Sequence, residues 1–203
     1  MITIDDVMTA APVIPVLVLD GSHDPRALAE TFVEAGLPVL EVTLRTPQAL
    51  DAIRAMADVS GAIVGAGTVL NADQLKQARD AGAQFIVAPG LTEPLTRAAL
   101  DSGLAYLPGV ATAGDIMRGL DLGITRFKFF PAESSGGLPA LKALSGPFGD
   151  VRFCPTGGIR PDTAREWLAH PSVRCVGGSW LVPAGADLGT VGKLAQEAAA
   201  LRP

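Results

Sequence analysis

The chain alternates short apolar runs with longer amphipathic stretches, and the alternation persists along nearly its whole length. Eight apolar runs predict strands: Val13–Leu19, Val39–Leu44, Ala62–Val69, Gln84–Ala88, Ala105–Pro108, Arg126–Phe130, Val151–Pro155 and Arg174–Gly178. Helix start and stop residues recur between them. Asp24-Pro25 sets a cap with proline at the first helical position, and Gly36 ends that helix. Thr46-Pro47 predicts the same device ahead of Leu50, Ile53 and Met56 or Ala57 at helical spacing. Asn71 with Gln74 and Thr112 with Asp115 read as capping boxes, closed by Gly82 and Gly123. Thr92 opens a helix ending at Gly103, and Asp5–Ala10 predicts a short helix at the floor of the fold.

Alternation of this kind calls for a parallel sheet with helical crossovers. Eight repeats in 203 residues predict a small (β/α)8 TIM barrel occupying one domain, residues 1–203, with the short N-terminal helix beneath it. An open doubly wound sheet is the alternative, but no GxGxxG turn follows the first strand. Ser134-Ser135-Gly136-Gly137 reads as a mobile loop beside the expected site.

Composition narrows the function. With 48% hydrophobic and 18% charged residues, the chain suits strands buried on both faces. The net charge of −5 offers no basic footprint for nucleic acid and no polybasic membrane patch. No apolar run reaches 18 residues and the N-terminus is acidic, so a soluble cytoplasmic protein is expected. Cys154 and Cys175 read as small buried thiols rather than a disulfide framework. His23 and His170 stand beside turn or helix-start prolines, are expected at the surface, and fit no metal-ligand spacing.

One residue resists a packing explanation. Lys128 is one of four lysines and lies within Arg126-Phe127-Lys128-Phe129-Phe130-Pro131. An amine among phenylalanines on a buried strand is pushed toward its neutral, nucleophilic form, which attacks carbonyls to give a Schiff base. The bland alternative is a lysine that snorkels outward or pairs with a carboxylate. On the second strand, alternation puts Glu41, Thr43 and Arg45 on one side, with a Glu41–Arg45 ion pair as the purely structural reading. Glu41, Arg45 and Lys128 converging on one barrel mouth are harder to explain by packing. Gly65-Ala66-Gly67-Thr68 ends the third strand; Thr156-Gly157-Gly158 and Gly177-Gly178-Ser179 end the last two. Small residues there expose backbone N–H groups where barrels commonly bind phosphate.

EVTLRT (41–46), GAGTVL (65–70), APGLTEP (88–94), FKFFPAE (127–133), CPTGGI (154–159) and GGSWL (177–181) together resemble the class I 2-keto-3-deoxy-6-phosphogluconate (KDPG) / 4-hydroxy-2-oxoglutarate aldolases. The resemblance runs from Pro12 to about Pro183. It implies that Lys128 forms the imine with the C2 carbonyl and that Glu41 is the general acid/base. Arg45 and Thr68 match positions that hold the pyruvyl carboxylate. Pro89 and Phe130 match those walling the pyruvate, with Thr156 nearby; Gly157, Gly158, Gly178 and Ser179 match the phosphate end. The implied products are pyruvate and glyceraldehyde 3-phosphate, with no cofactor or metal, since a protonated imine is itself the electron sink. Relatives are typically homotrimers. The competing readings are a phosphogalactonate-epimer aldolase, a phosphosugar isomerase or thiamin-phosphate-type synthase, and a non-catalytic phosphate-binding or assembly scaffold.

Overall fold

The computed structural model describes residues 2–201. In chain order its strands are β1 Val13–Leu17, β2 Val39–Thr43, β3 Ile63–Gly67, β4 Phe85–Val87, β5 Ala105–Leu107, β6 Gly109–Val110, β7 Arg126–Phe129, β8 Arg152–Pro155 and β9 Val176–Gly178. Helices are α1 Ile4–Thr9, α2 Pro25–Glu34, α3 Ala49–Ala57, α4 Ala72–Asp80, α5 Glu93–Ser102, α6 Ala113–Asp121, α7 Gly137–Ser145, α8 Pro161–Leu168 and α9 Leu188–Ala199. None is long and apolar enough to cross a membrane.

All strand pairings are parallel, as helical crossovers require. They form a curled six-stranded sheet, β5-β4-β3-β2-β1-β9, and a three-stranded sheet, β6-β7-β8, rather than one uninterrupted ladder of eight. The predicted strand Ala105–Pro108 accounts for the difference. Pro108 has no N–H for a ladder, so the chain breaks there. β5 stays with β4 while β6 pairs with β7, and the Pro108 carbonyl accepts from the Lys128 N–H at 2.8 Å. At the other margin, isolated bridges Phe153–Val173 and Thr156–Gly177 tie β8 to the approach of β9.

The two faces of the strands bury separate clusters. Residues of one phase, including Leu40, Val42, Ile86, Phe127, Phe129 and Phe153, pack beneath the helices. Those of the other phase, including Ile14, Val39, Phe85, Leu107 and Cys154, meet in an interior cluster drawn from both sheets. Val7 and Met8 of α1 close this interior from the amino ends of the strands, where the floor helix was expected.

Capping follows the sequence in most places. Asp24 accepts from the Ala27 N–H at 2.8 Å, and Thr112 with Asp115 forms a complete box on α6. Asn71 accepts from the Gln74 N–H, but Gln74 reaches back to the Leu70 N–H instead of to Asn71. Thr46 does not cap α3. Its hydroxyl is buried without a partner among the described residues, and the helix starts three residues later, from a Gln48 already in helical conformation. Ser134–Gly137 is a hydrogen-bonded turn leading into α7, closed by the Gly137 N–H on the Ala132 carbonyl at 3.1 Å. Both histidines are half-buried at the surface. His23 Nε2 lies 2.7 Å from the Ala186 carbonyl, and His170 Nδ1 accepts from the Ser172 N–H.

Candidate active site

A mouth opens where the strands end at their carboxyl termini. Thr68, Pro89, Phe130, Thr156, Gly157, Gly158 and Ser179 each lie within three residues beyond a strand, and Gly178 closes β9. Buried polar residues gather at this end. Glu41, Thr43, Lys128 and Thr156 occupy the interior phase of β2, β7 and the residue after β8, above the apolar cluster.

The centre of the group is an ion pair. Lys128 Nζ donates to Glu41 Oε1 at 3.0 Å and lies 3.5 Å from Oε2, with both side chains almost fully buried. The Phe130 ring lies over the amine, its centroid 5.3 Å from Nζ. A carboxylate within hydrogen-bond distance of an amine is also a base to which that amine can pass a proton.

Neighbouring strands make room for this pair. The register sets Glu41 beside Gly65 and Thr43 beside Gly67. A Cβ at Gly67 would clash with Glu41 Oε1 and come within 2.7–2.8 Å of Glu41 Cγ and Cδ. Glu41 thus leans across β3 in space that only glycine leaves open. Thr43 anchors the end of β2, donating from Oγ1 to the Leu17 carbonyl at 2.9 Å. On the far side, Lys128 pairs in register with Gly109 and Cys154.

Thr68 holds φ at 58°, the left-handed region that a β-branched residue enters only under strain. The rim of the mouth is otherwise built from turns. The Thr156 N–H donates to the Phe129 carbonyl at 2.9 Å, and the Ala132 N–H donates to the Thr156 carbonyl at 2.8 Å. Gly157 and Gly158 follow with φ of 102° and 81°.

Arg45 is placed differently from its sequence reading. β2 ends at Thr43, the chain turns, and Arg45 stands exposed at the rim with no ion pair among the described residues. The Glu41–Arg45 pair is therefore replaced by Glu41–Lys128, and two ionisable groups rather than three meet inside. Gly67, Thr43 and Glu133 were given no role from sequence. All three sit inside the motifs given above, but only the strand register and the turn after β7 reveal what they touch.

Comparison with known proteins agrees with this geometry. The sequence profile described as KDPG and KHG aldolase matches residues 4–194. A Zymomonas mobilis protein named 2-dehydro-3-deoxy-phosphogluconate aldolase is 58% identical over 200 residues, covering 98% of this chain and 96% of the relative. A crystal structure of the Zymomonas mobilis ZM4 KDPG aldolase with 3-phosphoglycerate superposes with a TM-score of 0.96, at 58% identity, and covers 98% of this chain and 96% of that one. The Legionella pneumophila KDPG aldolase, solved with pyruvate captured at low pH as a covalent carbinolamine, gives a TM-score of 0.93 at 42% identity and covers 98% of each chain. With its lysine and carboxylate paired at the mouth of the sheet, the chain belongs to the KDPG and KHG aldolase family.

Proposed function

We propose that this chain is a Schiff-base lyase that cleaves 2-keto-3-deoxy-6-phosphogluconate to pyruvate and glyceraldehyde 3-phosphate. The observation that carries the mechanism is the buried Lys128–Glu41 pair at 3.0 Å. Relatives 50–58% identical bear the name of this activity.

Glu41 takes a proton from Lys128, and the free amine attacks the C2 carbonyl to form a carbinolamine. Loss of water gives the imine. Glu41 then accepts the C4 hydroxyl proton, directly or through one water. The C3–C4 electron pair moves into the protonated imine as glyceraldehyde 3-phosphate departs. The resulting enamine takes a proton at C3 from Glu41, and water releases pyruvate from Lys128. Arg45 and Thr68 receive the substrate carboxylate, and Pro89, Phe130 and Thr156 wall the pyruvyl group. Gly157, Gly158, Gly178 and Ser179 hold the phosphate through backbone N–H groups and one hydroxyl.

In this reading residues 1–203 act as one domain. The seam at Pro108 and the bridges between β8 and β9 support reading both sheets as one eight-stranded barrel. The enzyme works in the cytoplasm as a homotrimer in sugar-acid breakdown, and it also accepts 4-hydroxy-2-oxoglutarate. Incubation with pyruvate and borohydride, followed by peptide mass mapping, tests the central step. Reduction should fix one pyruvyl group on Lys128, and an unmodified Lys128 peptide overturns the mechanism.

A further inference from the structure

Beyond the mouth, Glu133 is an exposed carboxylate that no step above uses, yet three contacts fix it. Its backbone N–H donates to the Gly157 carbonyl at 3.0 Å. Its Cβ and Cγ fill the space a side chain at Gly158 would need, 2.7 and 2.8 Å from the position of a Cβ there. Its Oε1 accepts from the indole N–H of Trp167 at 3.0 Å. Trp167 is itself buried against Phe129, the neighbour of Lys128, with ring centroids 6.3 Å apart. The residue thus links the strand bearing the amine, the turn after β8 and the interior of α8.

A carboxylate leaning on a turn built to receive a phosphate dianion is electrostatically unfavourable unless its charge is turned aside. The indole does this, because it binds one carboxylate oxygen on the helix side of the turn. The same bond keeps the Glu133 stem against Gly158, beside the left-handed Gly157 and Gly158.

We propose that Glu133 and Trp167 are positioning residues for the phosphate of the substrate. They hold the Gly157-Gly158 N–H groups open while steering a negative charge away from them. The inference rests on the assignment of that turn to the phosphate. The test compares a phosphorylated ligand with one that lacks phosphate. In Glu133→Ala, KM for KDPG should rise by roughly tenfold, the scale of one lost charge-assisted hydrogen bond. The pyruvate concentration needed for half-maximal borohydride trapping at Lys128 should stay unchanged. Glu133→Gln keeps the acceptor and the stem but drops the charge, so its KM for KDPG should not exceed that of the parent. Trp167→Phe should reproduce the Glu133→Ala pattern, and the surface position of Glu133 keeps the test usable if the tryptophan variant folds poorly. Equal weakening toward KDPG and pyruvate in Glu133→Ala overturns the proposal in favour of a general structural role, as does a Glu133→Gln variant as impaired as Glu133→Ala. Ser179→Asp separates the two layers. If it leaves KM for KDPG unchanged, the phosphate assignment itself fails. If it raises KM while Glu133→Ala does not, only the positioning role fails.

Discussion

Strand β7 carries two cations, Arg126 and Lys128, on the same side and two residues apart, yet the two do opposite work. At the floor, Arg126 meets Asp5 of α1 through two bonds, Nε–Oδ1 at 2.6 Å and Nη2–Oδ2 at 3.2 Å, with the Asp5 side chain 53% exposed. At the mouth, the single Lys128 Nζ reaches Glu41 Oε1 at 3.0 Å and Oε2 at 3.5 Å, both side chains at 7% exposure or less. The guanidinium fork suits a fixed join between a helix and a strand. A single ammonium, holding one proton it can pass to its partner, suits chemistry. A buried ion pair is weak evidence for stability, since removing two charges from water offsets much of their attraction. Position along one strand therefore separates a brace from the amine proposed as the nucleophile.

Exchanging the two cations should break the comparison most sharply. Lys128→Arg keeps the charge but removes the nucleophile, and should lower kcat/KM by roughly three orders of magnitude or more in a coupled pyruvate assay. Arg126→Lys should leave that assay unchanged and lower stability by about 0–1 kcal/mol in urea melts, as a half-exposed pair would. Cleavage surviving in Lys128→Arg would mean that the amine is only a charge.

Next in size is Gly67→Ala, which pushes on the Glu41 carboxylate without touching either charge. Activity should fall by about 10- to 100-fold, with overpacking costing about 1–3 kcal/mol in the same melts. Unchanged kinetics would show that Glu41 needs no fixed position.

Thr68 offers a smaller and opposite effect. Asparagine tolerates the left-handed conformation that threonine resists, so Thr68→Asn should raise stability by about 1 kcal/mol while raising the KM for pyruvate trapping. A variant that is less stable than the parent would argue against strain at this position.

The least effect belongs to the floor and depends on pH. Thr3 donates its side-chain and backbone hydrogen bonds to the Asp6 carboxylate and holds its pKa below the usual carboxylate range. A carboxylate lowered in the folded state adds stability above its ordinary pKa, and that stability is lost as pH falls through the lowered value. Asp6→Asn should therefore melt below the parent at pH 7, with the gap closing once the pH falls below about 4. A gap that stays constant as the pH is lowered from about 4 would assign the effect to packing.

Much of this arrangement is legible in the sequence, because the signals that carry it are local. Strand periods, the Asp24 cap and the Thr112–Asp115 box depend on residues only a few positions apart. So does the singularity of Lys128 among phenylalanines. The parts that were read differently depend on distant partners. Thr46-Pro47 has the chemistry of a cap, but the turn after β2 uses those residues before α3 begins. Arg45 obeys alternation only as long as the strand continues, and β2 stops at Thr43. Glu41 and Lys128, 87 residues apart, are expected from sequence at one mouth, but their direct bond in place of a Glu41–Arg45 pair depends on how the strands are arranged. The break at Pro108 is written in the chain, but its consequence, a change of sheet, appears only once β4 and β7 are in place.

The two native thiols bear on how this enzyme can be studied. Cys154 and Cys175 are free and sealed in the interior, and hydrogen bonding with Cys154 together with burial pushes the Cys175 thiol well above its ordinary pKa. Reagents that attack thiolates find little to react with there. A cysteine engineered onto an outer helix would be the preferred target of a maleimide dye, giving a fluorescent reporter without first stripping the native sulfurs.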